Sequence, residues 1–285
     1  MPLRLRATRA AATFLTKRFG LLGQRVGERL VASVDLSKLM ADEVNLWVEG
    51  VSFRLDLRDN LQRVAFLTGS YERPLFSHIR RALQPGDVVI DVGANIGIHA
   101  LPLANRLSVM GGTVYAFEAA PDTAETLVAG AQRNNLANVQ VLPFGLGATE
   151  GVKALRNSSQ YGPRDVGSRT MIGDGDVQFE VPVRRFDDWA ESVQLQRMDV
   201  LKIDVEGSEL DVLLGMIDAL NRFKPRLVAI EIVDNRLEIK GQSREQLRDL
   251  LESAGYVASP PSVFHRLRGE HQRRFGPNFI FQRLS

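Results

Sequence analysis

The stretch that decides the fold is Asp87-Val88-Val89-Ile90-Asp91-Val92-Gly93-Ala94-Asn95-Ile96-Gly97. Its first half is a short apolar run, which is typical of a strand buried inside a parallel sheet. Its second half holds two glycines, which allow the backbone to turn sharply and approach a ligand closely. We predict a strand over Val88–Val92, a glycine loop, and a helix from about Ile96 to Leu107.

Strands and helices continue to alternate along the chain from this point. Further strands are predicted at Thr113–Phe117, Val139–Leu142, Val200–Val205, Leu227–Val233 and, in antiparallel orientation, Asn278–Arg283. Helices are predicted after Pro121, from Ser208 to about Leu220, and over Ser243–Ala254. Short strands separated by helices form right-handed crossover units. The sequence therefore predicts an α/β fold, Rossmann-like, with a mostly parallel sheet flanked by helices.

The N-terminal residues 1–70 form a predicted extension to a main domain of residues 71–285. Residues 1–34 are basic and carry apolar side chains three or four positions apart, as in an amphipathic helix. We favour docking of this helix on the domain or on another subunit over its alternative, contact with an anionic membrane surface. A hairpin follows, with strands at Val44–Val48 and Val51–Leu57. Residues 157–176 hold four glycines and are predicted to form a long exposed loop.

Composition excludes several classes of protein. The chain has no cysteine, so disulfides and thiolate metal sites are ruled out. A net charge of +2 is too small to predict nucleic-acid binding, and no apolar run is long enough to span a bilayer. We expect a cytoplasmic protein. If the amphipathic helix at 1–34 contacts a membrane, the protein would be peripherally attached to that membrane. The oligomeric state stays open.

The glycine loop also predicts a cofactor. A dinucleotide site needs G-x-G-x-x-G, whereas Gly93 and Gly97 are spaced G-x-x-x-G. Glu118 follows the next strand, where an acidic side chain accepts the ribose hydroxyls of an adenosine. S-adenosylmethionine (SAM) contains adenosine but no phosphate, and we expect it to bind here. The predicted cofactor-binding residues are Asp91, Gly93, Ala94, Asn95, Gly97, Glu118 and Asp204.

Four blocks of the chain resemble the FkbM family of methyltransferases. They are Gly86 to Gly97, Val114-Tyr115-Ala116-Phe117-Glu118, Val181-Pro182-Val183 with Phe186-Asp187-Asp188, and Leu201-Lys202-Ile203-Asp204-Val205-Glu206-Gly207-Ser208-Glu209. The resemblance implies a SAM-binding domain and O-methylation, commonly of a sugar, glycolipid or polyketide-type natural product. The chain departs from the family where Glu231-Ile232-Val233 lacks the histidine of an E-x-H motif, and in its third-strand block at 143–147.

The catalytic prediction centres on Lys202, Asp204 and Glu206, which alternate and therefore lie on one side of a strand. Asp204 is the best candidate near the donor methyl group, as a base or as a metal ligand. We expect Lys202 to pair with a carboxylate, and Glu206 to orient Lys202 or the start of the next helix. Glu231, at the end of the following strand, completes the catalytic set.

A divalent metal ion is the alternative that we do not favour. Asp204, Glu231, Asp234 and Asn235 would supply its oxygen ligands. We expect instead that Asp234 or Asn235 caps a helix or faces solvent.

Three residues near the predicted cofactor site have expected roles outside catalysis, and three other functions stay open for the chain. His99 is expected to pack or cap rather than act as a base, and Tyr71 and Glu72 to close over the cofactor. The alternatives to O-methylation are methylation of nitrogen or carbon in a small molecule, an NAD-dependent oxidoreductase, and a non-catalytic binding module that keeps the fold.

Overall fold

The computed structural model describes residues 44–69, 71–157, 169–258 and 278–283. The strands are β1 Val44–Val48, β2 Val51–Leu55, β3 Val88–Val92, β4 Thr113–Phe117, β5 Val139–Leu142, β6 Gly145–Leu146, β7 Gly151–Arg156, β8 Val177–Arg184, β9 Val200–Ile203, β10 Leu227–Glu231, β11 Tyr256–Ala258 and β12 Asn278–Arg283. The helices are α1 Asn60–Thr68, α2 Arg73–Ala82, α3 Ala100–Ser108, α4 Pro121–Arg133, α5 Phe186–Ser192, α6 Glu209–Leu214, α7 Ile217–Phe223, α8 Asp234–Ile239 and α9 Arg244–Ser253.

A seven-stranded sheet forms the centre of the fold, with the strand order β11-β12-β10-β9-β3-β4-β5. β5, β4, β3, β9 and β10 run parallel, and β12 pairs antiparallel with both β10 and β11. The chain moves outward from β3 to β4 and β5, then returns to place β9 on the other side of β3. Ligands bind at such a reversal, outside the carboxyl ends of the strands. The predicted Rossmann-like α/β fold is confirmed.

Helices cover both faces of this sheet and bury two large apolar clusters. One cluster includes Val89 and Leu101 together with Leu46 and Phe53 of the β1–β2 hairpin. The hairpin is also joined to α4, because the Asn134 side chain exchanges hydrogen bonds with the backbone N–H and carbonyl of Ser52. The hairpin therefore shares a core with the sheet, while the domain boundary at residue 70 stays a prediction.

Two predicted helices differ from the observed ones. The helix after the glycine loop begins at Ala100 rather than Ile96, because Asn95 and Gly97 adopt left-handed backbone angles (φ 52° and 83°) that no helix contains. The helix predicted from Ser208 to Leu220 is broken into α6 and α7 at Gly215. A β-carbon at Gly215 would lie 2.0 Å from the Gly147 carbonyl oxygen, so this close contact requires glycine.

The predicted loop at 157–176 is only partly exposed. Within its described part, Thr170 and Ile172 are buried, whereas residues 173–174 are exposed. The expectation of exposure is therefore wrong for Thr170 and Ile172, which belong to a segment that borders the cleft described below. The strands on either side of the loop, β7 and β8, pair with each other, and β8 also pairs with β6, in a three-stranded sheet that was not predicted.

Other predictions fall outside the described residues. They concern the amphipathic helix at 1–34 and residues 158–168 of the predicted loop. No helix within the described ranges combines the length and the apolar character that crossing a lipid bilayer requires.

Candidate active site

A cleft opens at the carboxyl ends of β3, β4 and β9, where the strand order reverses. The space within it, counted to where it opens into solvent, is about 910 Å³. The predicted residues Gly93, Ala94, Asn95, Glu118, Lys202, Asp204 and Glu206 line it. The fold therefore brings the glycine loop and the Lys202–Glu209 block, which are about 110 residues apart in sequence, to one site.

Gly93 allows two loops of the cleft to touch. Its φ is 77°, and a β-carbon there would lie 1.8 Å from the backbone carbonyl oxygen of Asp204. The N–H groups of Gly93 and Ala94 both donate to the Phe117 carbonyl, each over 3.0 Å. Glycine at position 93 therefore allows the glycine loop to contact the backbone of the loop after β9. This contact holds Asp204 at the floor of the cleft.

Glu118 is fixed at the end of β4 by two backbone hydrogen bonds. Its two carboxylate oxygens accept from the N–H groups of Asn95 and Ala120, each over 2.8 Å. Burial raises the pKa of Glu118 to about 7, even though these hydrogen bonds and the charge of Arg169 lower it. Each carboxylate oxygen keeps a lone pair for a further donor.

Lys202 lies between two carboxylates under the cleft. Its Nζ is 3.3 Å from Asp91 Oδ1 and 3.3 Å from Asp204 Oδ2, and its side chain is almost fully buried. Burial alone would lower the pKa of Lys202, but the charges of Asp91 and Asp204 outweigh burial and raise it. The ammonium group therefore stays charged, which agrees with the expected pairing of Lys202 with a carboxylate.

Asp204 and Glu231 form a pair of interacting carboxyl groups. Burial would raise the pKa of Asp204, but the charge of Lys202 and a hydrogen bond with Glu231 hold it below its usual value. Burial and then the negative charge of Asp204 raise the pKa of Glu231 well above normal. Asp204 is thus the ionised member of the pair and Glu231 the protonated one.

Glu206 is held away from Lys202. Its backbone lies outside β9 in a left-handed conformation (φ 58°), and its carboxylate forms an ion pair with Arg236 at the start of α8. The expectation that Glu206 orients Lys202 is wrong, because β9 ends at Ile203 and the alternation of a strand does not extend to this residue.

One group of acidic residues in the described ranges has the spacing of a metal site. It consists of Asp204, Glu206 and Glu231, with one carboxylate oxygen of each within 4.8 Å of the others. Asp234 instead pairs with Arg244, and Asn235 is exposed on the first turn of α8. Asp234 and Asn235 are therefore not part of this cluster, and both are exposed, while the choice of metal ligands stays a prediction.

His99 is buried beside the cleft and is a poor base. Burial, and then the charge of Lys202, lower its pKa to about 3. The ring stacks on Phe76, and its Nε2 lies 3.4 Å from the Tyr71 carbonyl oxygen. The prediction that His99 packs rather than catalyses agrees with these contacts. Tyr71 lines the cleft, and the Glu72 carboxylate accepts a hydrogen bond from Asn278 of β12.

Sequence reasoning missed Arg169, Arg236 and the role of Glu209. Glu209 is fully buried, and its carboxylate accepts a hydrogen bond from the Gly207 N–H, which shapes the loop that carries Asp204 and Glu206. Glu209 is the last residue of the K-x-D-x-E-G-x-E block, so the sequence motif could have marked it as a residue of the site. Arg169 lies in the segment predicted to be exposed, and no local pattern marks it.

Comparison with known proteins shows the family of the chain. A family model described as "Methyltransferase FkbM domain" matches residues 91–258, which is more than half of the chain. The chain belongs to the FkbM methyltransferase family. The matched range begins at Asp91 and includes Glu118, Asp204 and Glu231, so most of the cleft of this FkbM protein lies within the shared domain, and Leu61 and Tyr71 line it from outside that range.

Curated relatives of this FkbM protein include three bacterial or archaeal proteins. It is 29% identical to the "AMB antimetabolite synthetase AmbE" of Pseudomonas aeruginosa, over 81% of this chain and 12% of that one. It is 29% identical to the "Hexuronic acid methyltransferase AglP" of Haloferax volcanii, over 61% and 68% of the two chains. It is 34% identical to the "31-O-demethyl-FK506 methyltransferase FkbM" of Streptomyces tacrolimicus, over 48% and 62%. The chain thus spans only about an eighth of the first of these relatives.

Proposed function

We propose that this protein is a SAM-dependent O-methyltransferase whose acceptor is a hydroxyl group of a sugar, glycolipid or natural product. The observation that carries the proposal is the buried Asp91–Lys202–Asp204 arrangement beside the glycine loop. It keeps a carboxylate ionised at the floor of a cleft whose other end carries Glu118.

The residues present fit SAM. Asp91 is fully buried, and Lys202 Nζ lies 3.3 Å from its Oδ1, whereas its Oδ2 has no hydrogen-bond partner among the described residues. A buried carboxylate of this kind needs a donor, which the amino group of the methionine part supplies directly or through water. Glu118 keeps acceptor capacity for ribose hydroxyls at the other side of the loop. Asp91, Gly93, Ala94, Asn95, Gly97 and Glu118 would hold the cofactor.

When bound, SAM supplies a methyl carbon whose bond to sulfur breaks, with the electron pair staying on sulfur, as the acceptor oxygen forms its new bond to carbon. The protein must orient that oxygen and remove its proton. Asp204 accepts the proton, because Lys202 keeps its carboxylate ionised and Gly93 fixes the loop that carries it. Glu231, protonated beside it, donates to Asp204 and orients it.

Two observations support a hydroxyl group as the methyl acceptor: the names of the relatives and the ionised carboxylate in the cleft. The names of two relatives refer to a hexuronic acid and to a demethylated oxygen of FK506, and both kinds of acceptor carry hydroxyl groups. A hydroxyl needs a proton acceptor at the moment of transfer, and Asp204 is the carboxylate in the cleft held ionised by a buried cation.

Transfer is expected to proceed without a divalent metal ion. Lys202 already lies against Asp204, and Arg236 already pairs with Glu206, so two of the three clustered carboxylates have cationic partners. A metal ion would have to displace or repel these cations. We expect EDTA to leave the turnover rate unchanged, and added Mg²⁺ to raise it less than twofold. Loss of turnover in EDTA that Mg²⁺ restores would instead assign the metal to Asp204, Glu206 and Glu231.

The proposal is tested by binding and by transfer. Calorimetry with S-adenosylhomocysteine (SAH) is expected to give a micromolar Kd, and NAD is expected not to bind. A donor with a deuterated methyl group, incubated with a panel of hydroxylated sugars and macrolides, should label a product oxygen by mass spectrometry. Binding of NAD in place of SAH would refute the cofactor, and labelled nitrogen or carbon would refute the acceptor atom.

A further inference from the structure

A short segment of the insertion crosses the cleft and is fixed at both ends. We name it the strap and define it as Arg169–Ile172. Two parallel hydrogen bonds join the Arg169 guanidinium to the Asp122 carboxylate on the first turn of α4, over 2.6 and 2.9 Å. At the other end, the Thr170 hydroxyl donates to the Glu206 carbonyl over 2.8 Å, and Ile172 packs against Gly207. The strap therefore links the Glu118 side of the cleft to the Asp204 side.

Arg169 has one buried donor that the described residues leave without an acceptor. Its side chain is only 10% exposed, and Asp122 takes two of its nitrogens. Its Nε–H is buried and has no hydrogen-bond partner in the described ranges. A buried donor without an acceptor is costly, and more so on a charged group. Such a donor at the wall of a cleft indicates that a ligand supplies the acceptor.

The position of Arg169 indicates which part of a ligand it meets. It lines the cleft together with Glu118 and is close enough for its charge to act on that carboxylate. A carboxylate accepts hydrogen bonds and a guanidinium donates them. A hydroxyl group does both, so a ribose hydroxyl can donate to Glu118 and accept from Arg169. The positive charge of Arg169 does not require a phosphate group on the ligand, because the Asp122 carboxylate already balances that charge.

We propose that Arg169 is a cofactor-binding residue that donates to the ribose of the adenosine and that the strap covers this end of the donor. The inference rests on the proposed function, since it requires SAM or SAH in the cleft. Asp122 acts as a positioning residue. Its Oδ1 also accepts from the Thr123 N–H over 2.8 Å, which fixes the carboxylate before Arg169 pairs with it.

The test compares Arg169→Gln with Arg58→Gln. Arg58 forms a similar ion pair, at 2.6 Å with Asp56, but lies after the β1–β2 hairpin and does not line the cleft. Calorimetry with SAH and with adenosine is expected to show about 10- to 100-fold weaker binding of both probes to Arg169→Gln, in line with the loss of a charged hydrogen bond. Arg58→Gln should bind both as the wild type does. Asp122→Asn should weaken SAH binding by a smaller factor.

The outcomes separate this inference from the proposed function. If the wild type binds no SAH, the proposed function fails. If the wild type binds SAH and folded Arg169→Gln binds it equally well, Arg169 does not contact the cofactor and the inference is wrong. A loss for SAH without a loss for adenosine would refute the ribose assignment. Should Arg169→Gln not fold, Arg169→Lys keeps the charge near Asp122 but lacks the Nε donor, and is expected to show the same losses.

Discussion

Asp204→Asn is expected to lower kcat by about 10²- to 10⁴-fold, the usual contribution of a positioned proton acceptor. The amide keeps the shape of the side chain and leaves the backbone contact of residue 204 with Gly93 in place, but it cannot take a proton from the acceptor hydroxyl. SAH affinity should change only a few-fold, because the proposed cofactor contacts come from Asp91, the glycine loop and Glu118. Single-turnover methyl transfer and SAH calorimetry on the same preparation measure the two effects separately.

Glu206→Gln is the matched comparison for this variant. It makes the same carboxylate-to-amide change two residues away in the same loop, but the charge of Glu206 is already engaged by Arg236. We expect kcat to fall less than tenfold. Equal losses in both variants would mean that the cluster works as a unit and that Asp204 has no special role as the base.

Glu118→Ala is expected to weaken SAH binding by about 100-fold or more. Hydrogen bonds to charged groups contribute about 1.5–3 kcal/mol each, and the variant removes the acceptor of the ribose hydroxyls. It also releases the N–H groups of Asn95 and Ala120, which the carboxylate now holds. Calorimetry gives the change in affinity. Circular dichroism checks that the loss does not come from unfolding, and an unchanged Kd would refute the assignment.

The same residue predicts a pH dependence with a defined sign. The pKa of Glu118 is raised to about 7 by burial, and ribose hydroxyls donate to its ionised form. SAH affinity should therefore rise about tenfold from pH 6 to pH 8, with release of a proton on binding near pH 7. Without ligand, the raised pKa makes Glu118 destabilise the folded state increasingly as the pH rises from about 4.5 through 7. Proton release is measured by calorimetry in buffers of different ionisation enthalpy.

A control separates this effect from a second carboxyl group. Glu209 also has a pKa raised to about 7 by burial, but it does not line the cleft. Glu209→Gln should keep the pH dependence of SAH affinity, and Glu118→Gln should abolish it. The reverse result would place the titrating group at Glu209.

Local pattern was enough to predict the central sheet. Mostly apolar runs of four or five residues located β3, β4, β5, β9 and β10, because strands inside a parallel sheet are largely covered on both faces. The same runs placed Asp91, Glu118 and Asp204 at strand ends that converge in a parallel sheet. Pairing of Lys202 with a carboxylate was predicted because a buried charge requires a partner.

The contacts that escaped prediction join residues distant in sequence. Arg169 meets Asp122 across 47 positions, and Asn278 meets Glu72 across 206. No spacing rule relates such pairs, since the fold alone brings them together. Glu206 was misplaced for a different reason. The alternation of side chains holds only while the backbone is extended, and the chain leaves β9 at Ile203.

The position of β12 has a consequence for how the protein is made. β12 inserts between β10 and β11, although it follows both in the chain. During translation one edge of β10 therefore stays unpaired until residues 278–283 leave the ribosome. Only then can Asn278 form its hydrogen bond with Glu72 at the rim of the cleft. An open strand edge is a template for aggregation. A premature stop codon after Glu231 and before residue 278 should therefore yield truncated chains that depend on chaperones and are degraded, even though they contain every residue proposed here to act in catalysis.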